Sequence, residues 1–153
     1  MLFHGDPVWN LYLPQFYLSA QEHAHLIDLF FDYFAFWCLR GQRESFHSAM
    51  RRALSPTTPT TPTFGTSVHY GPMLHNAMLA IAMGFSTDPR FNPVAQWTFI
   101  KKAQEYSSAE MENPTLSGVL AFSYLATFFS GIGNRAAASA YFGVCASLAQ
   151  ICE

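Results

Sequence analysis

The chain has 153 residues, half of them hydrophobic and only 12% charged, with 15 phenylalanines and a formal charge of -2. That length suits one domain or part of a larger one, and a charged fraction well under the ~25% of ordinary domains predicts more hidden surface than the chain can cover alone. Eight basic against ten acidic residues leave no electrostatic footprint for a phosphate backbone, which argues against direct nucleic-acid binding by this segment.

Residues 1–18, MLFHGDPVWNLYLPQFYL, are aromatic and proline-punctuated without a period. They predict an extended lead-in that lays Trp9, Tyr12 and Phe16 on the surface of a bundle. No basic start and no long apolar run precede Asp6, so no signal peptide is expected. Ser19 with Glu22 three residues on forms a capping-box pattern and opens a helix. Leu26, Phe30, Tyr33 and Trp37 mark its apolar face, Ile27, Phe31, Phe34 and Cys38 widen it, and Gln21, His25, Asp28 and Asp32 form a narrow polar stripe.

A shorter helix comes next, about Glu44 to Leu54, carrying Phe46, Met50 and Leu54 inward. Arg40, Arg43, Arg51 and Arg52 gather around it and read as a solvated face rather than a patch for an acidic partner. SPTTPTTPTFGT, residues 55–66, is a low-complexity loop. Its Ser55-Pro, Thr58-Pro and Thr61-Pro steps make Ser55, Thr58 and Thr61 candidate phosphorylation sites whose phosphates could pair with the arginines.

Gly71-Pro72 starts the next helix, and Leu74, Ala77, Met78, Ile81, Ala82 and Phe85 give it one apolar face. After a turn at Thr87–Arg90, Asn92-Pro93 starts a helix from Val94 to about Ser107 with Trp97, Ile100 and Ala103 inward. Glu105 to Glu112 reads as an acidic connection. Asn113-Pro114 then repeats the cap-plus-proline start. From Leu116 to Phe129 apolar residues occupy every side, which predicts the central, fully enclosed helix of the fold.

Gly131 and Gly133 end that helix and Asn134 caps another, so the pair must fold back as a hairpin. The last helix has Tyr141, Val144, Cys145, Leu148 and Cys152 on one face. Ala136, Ala140, Gly143 and Ser147 line the other, small enough for a neighbouring backbone to approach. The uncharged stretch between Glu112 and Arg135 could span a bilayer, but its five Ser/Thr residues and its glycines favour a buried helix. The fold class is therefore all-α: about six helices in antiparallel hairpins forming a partial domain over 19–153, after a lead-in over 1–18.

No residue set supports catalysis: G-x-S-x-G, phosphate-loop and dinucleotide glycine patterns are all missing from the sequence. Glu22-x-x-His25 and Glu44-x-x-His47 resemble di-iron spacing but lack the two further inward glutamates, so no metal ligand is assigned. His75 reads as a hydrogen-bonded histidine at a core edge, and His69 and Tyr70 as packing or capping residues. Cys38, Cys145 and Cys152 form no C-x-x-C and read as reduced, inert core thiols.

YGPMLHNAMLAIAMGFSTDPR at 70–90, the run from Lys101 to Gln150, and HLIDLFFDYFAFWCLRGQRESFHSAMRRAL at 25–54 together resemble a known domain. It is the regulatory middle domain of fungal-specific zinc-cluster transcription factors, the group that includes the xylanolytic activators. The resemblance implies a helical part of a nuclear regulator of RNA polymerase II transcription. It also implies that DNA is read by a separate N-terminal module in which six cysteines hold two zinc ions. That module has no counterpart in this chain, so no cofactor is expected here and zinc only there. Implied partners are the rest of the same regulatory domain and a second copy or a co-regulator, with DNA reached only through the separate module and no membrane. The alternative is a helical-repeat interaction scaffold with no link to transcription.

Overall fold

The computed structural model describes residues 8–35, 42–54 and 69–152. Seven α-helices and no strand occur among them. A 3-10 turn at Val8–Tyr12 leads to α1 (Ala20–Leu29), which runs on into a π-helical turn at Phe30–Phe34. α2 is Gln42–Ala53, α3 Pro72–Met83, α4 Pro93–Glu105, α5 Ser107–Glu112, α6 Leu116–Gly131 and α7 Arg135–Ile151. Trp37, Cys38, Arg40 and the candidate phosphorylation sites Ser55, Thr58 and Thr61 lie outside the described residues.

Local signals in the sequence account for most helix starts. Ser19 and Glu22 form the reciprocal capping box, Ser19 N–H donating to the Glu22 carboxylate at 2.9 Å and Glu22 N–H to the Ser19 hydroxyl at 3.2 Å. The Asn92 side chain accepts from Val94 and Ala95, and the Asn134 side chain from Ala137. Gly133 takes φ 81° in the α6–α7 turn, a left-handed conformation that glycine adopts without steric cost.

One start lies elsewhere than expected. The stretch Glu105 to Glu112 is not a loop: it holds α5, whose end is capped by Asn113. The start of α6 therefore moves on to Thr115, whose hydroxyl accepts from Gly118 N–H at 3.0 Å. α5 is also the seventh helix, where about six were expected.

The centre of the fold is α3 rather than α6. All twelve residues of α3 are buried, and α1, α4 and α6 pack around it. α6 is mostly enclosed, through Ala121, Phe122, Leu125 and Phe129, but Leu116, Thr127 and Ser130 reach solvent. An apolar surface on every side permits full enclosure but does not guarantee it. Which helix ends up in the middle depends on how many neighbours each one has.

The lead-in also differs from the extended surface strap expected. Trp9, Leu13 and Leu18 are buried in the core, and Phe16 meets Phe91 and Phe99 at ring distances of 6.1 and 5.6 Å. At the far end of α1 the Ala35 N–H bonds back to Phe30 O at 2.9 Å. This i→i+5 bond widens the turn by one residue and rotates the side chains within it off the expected face. Tyr33 is consequently 62% exposed and stacks on Phe85, beyond the end of α3, at 5.9 Å.

Candidate functional site

The N-terminal half of α3 brings two polar side chains into the core. His75 and Asn76 have no solvent exposure. Nε2 of His75 lies 2.7 Å from Nε2 of His23 on α1. The indole of Trp9 stacks on the His23 ring at a centroid distance of 4.0 Å and meets His75 edge-on at 6.4 Å. Tyr70, just before α3, places its hydroxyl 3.4 Å from His75 Nδ1, and Phe46 of α2 packs edge-on against His75 at 5.7 Å. Four separate stretches of chain thus converge on one imidazole pair.

A nitrogen–nitrogen separation of 2.7 Å holds one proton, so one ring donates through Nε2 and the other accepts. Burial pulls the His23 imidazole down to about 4, helped by the nearby charge of His47. Burial holds His75 well below its ordinary value too, with His23 and His47 adding to the effect. Tyr70 is pushed well up by burial and stays a neutral phenol. Both imidazoles are therefore neutral near pH 7. Asn76 performs a parallel task, its amide donating to Tyr12 O at 2.9 Å and to Pro72 O at 2.8 Å. Its Oδ1 is buried with no partner among the described residues.

A second buried polar cluster joins α5 to the start of α6. Glu110 is 8% exposed and accepts from the Thr115 hydroxyl at 2.8 Å, while Thr115 and Ser117 hydroxyls lie 3.0 Å apart. Burial raises the Glu110 carboxyl above its usual range, and the Thr115 hydrogen bond partly offsets this. Gly118 is glycine because a Cβ there would collide with the Glu110 carboxylate.

The two Glu-x-x-His pairs singled out in the sequence do not come together. Glu22 serves the α1 cap and pairs with Arg90, while His25 and Glu44 are exposed. His47 is half-buried on α2 and is lowered by burial and by Arg51 and Arg43, with Asp28 opposing. Among the described residues no group of three or more His, Cys, Asp or Glu could hold a metal ion. Arg43 pairs with Asp28 at 3.3 Å and with Asp32, bracing α2 against α1. The Cys145 thiol, raised by burial, donates to Val119 O at 3.4 Å. What these described groups can do is hold helices in register.

His23 is legible in principle, since it shares a helical face with Leu26, Ile27 and Phe30. His75, expected at a core edge, is fully enclosed. Glu110 has no sequence signal, because it sits in a stretch that reads as an acidic connection.

The outer face of α7 is the other open feature. Ala136, Ala140, Gly143 and Ser147 are exposed, and a Cβ on Gly143 would meet nothing within 4 Å. Phe142 and Ile151 are 66% and 67% exposed. No helix among the described residues is long and apolar enough to cross a membrane. No curated protein and no solved structure matches the chain. Residues 27–151 match the family model described as the fungal specific transcription factor domain. That stretch takes in α2 through α7 and both buried polar clusters apart from His23 and Trp9, and the chain belongs to this family of fungal transcription factor regulatory regions.

Proposed function

We propose that the chain acts as a packing and signal-transmitting segment of a nuclear, fungal transcription factor that controls transcription by RNA polymerase II. DNA contact and zinc reside in a separate module of the same protein. The observation that carries this reading is the family match over 27–151. The character of the interior supports it: polar groups at His23, His75, Asn76 and Glu110 tie helices together without assembling a reactive centre. A shift in helix packing, biased by a bound partner, is the kind of output such an interior can give.

The partner in this reading is the remainder of the same regulatory domain, lying on the outer face of α7. A helix with Phe142 and Ile151 turned to solvent, and with no charged residue between Arg135 and its end at Ile151, has the composition of an interface core rather than of a solvated surface. A second copy or a co-regulator on that face is the other arrangement. The experiment is a reporter assay with the full-length factor carrying Gly143→Arg, together with a check of its nuclear level. The expected outcome is loss of normal regulation at unchanged abundance and unchanged nuclear location. Normal regulation would contradict the proposal.

A further inference from the structure

The His23–His75 pair does more than fill space, because of the groups that sit on it. Trp9 covers it, Asn76 beside it holds Tyr12 O, and together they fasten the lead-in to α1 and α3. Only one proton fits between the two Nε2 atoms at 2.7 Å. A first extra proton would go to Nδ1 of one ring. A second would remove the accepting lone pair and leave two N–H groups facing each other.

The surroundings offer little to neutralise such a charge. From the lead-in the pair faces Trp9, with Tyr12 nearby through Asn76; from α2 it faces Phe46, with His47 next to it. The segment before α3 contributes the neutral Tyr70 hydroxyl. On α1 the adjacent Glu22 is turned toward Ser19 and Arg90. Among the described residues the charges felt by the two rings are each other's and that of His47, all of the same sign when protonated.

We propose that this histidine pair is an acid-operated latch: neutral, it clamps the Val8–Leu18 lead-in onto α1 and α3; protonated, it lets that segment go while the α3–α4–α6–α7 body stays folded. The sign comes from linkage. The closed form holds His23 at about 4, and an opened form returns it toward the ordinary ~6.5, so opening takes up protons. The opening equilibrium then rises as pH falls below about 6.5, by about 20-fold for one such ring between pH 7 and pH 5. His75 adds to this in the same direction. The lead-in is fit for release because its other anchors include the apolar contacts of Leu13, Phe16 and Leu18 and the hydrogen bonds of Asn76 and Tyr106 to Tyr12 O, none of which titrates between pH 5 and pH 7.

The test is amide exchange of the intact protein followed by mass spectrometry at pH 7 and pH 5, corrected for intrinsic rates. The expected result is a fall of at least about 20-fold in protection over residues 8–18, with α3 and α6 peptides unchanged. Glu22→Gln, which removes the other titrating group at the start of α1, should leave that fall intact. His23→Gln with His75→Gln should abolish it. Loss of the effect in Glu22→Gln, or its persistence in the double variant, overturns the proposal. Should the double variant prove unprotected already at pH 7, the imidazole titrations of the wild-type protein by NMR decide. Rings neutral until well below pH 6 support the latch, and either ring titrating near its ordinary value contradicts it.

Discussion

Gly118 in the first turn of α6 and Gly143 midway along α7 are both helical glycines, yet their neighbourhoods set opposite expectations. A Cβ at Gly118 would strike the Glu110 side chain, whereas one at Gly143 meets open space. Gly118→Ala should therefore destabilise by about 1–3 kcal/mol through overpacking. Gly143→Ala should be neutral or stabilising by up to about 1 kcal/mol from helix propensity alone. Chemical denaturation of the two variants checks the pair. In the sequence both glycines look like small residues suited to close helix packing, because residue size is visible there and the neighbour across the gap is not. Glu110 is hidden for the same reason: nothing local to it announces that Thr115 will turn its hydroxyl toward it. Glu110 also sets a pH response of opposite sign to the histidines. Its raised carboxyl favours the fold when protonated, a contribution lost as pH rises through the folded-state value. Glu110→Gln should accordingly flatten the decline in stability on the alkaline side of about pH 4.5, as read by thermal unfolding across pH.

At the scale of the element, the helix starts divide into those written in adjacent residues and those decided by neighbours. Ser19, Asn92 and Asn134 cap as expected, since a capping side chain needs only the backbone three residues ahead. The cap of α6 is Thr115 rather than Asn113 because α5 uses Asn113 for its own end. Thr115→Ala should cost about 1–3 kcal/mol, removing both the cap and the donor to a buried carboxyl, whereas Asn113→Ala should stay within about 0.5 kcal/mol. Equal losses in the two variants would return the cap to Asn113. The π-helical turn at Phe30–Phe34 is illegible in the sequence because a 3.6-residue period is assumed wherever apolar residues recur. One inserted residue is enough to send Tyr33 outward.

For the whole molecule, the hairpins and the all-helical class are readable from periodicity and turn residues, but the identity of the central helix is not. α3 carries His75 and Asn76, which mark a wet side in any one-dimensional reading. In the fold the donors among those groups find His23, Tyr12 O and Pro72 O, and polar groups that find partners can be enclosed. α6 looks the more buried in sequence because it is apolar all round, yet part of it and most of α7 face outward. The low charge of the chain goes with that open side, which in the proposed reading is where the rest of the regulatory domain packs. The most direct measurement is thiol labelling of the intact factor with a single cysteine at Ala140→Cys on α7, compared with Lys101→Cys on the exposed side of α4. Ala140→Cys should react at least about ten times more slowly than Lys101→Cys, on the order of the protection a covered surface gives. Equal rates would mean that nothing packs on α7 and would contradict the proposed reading.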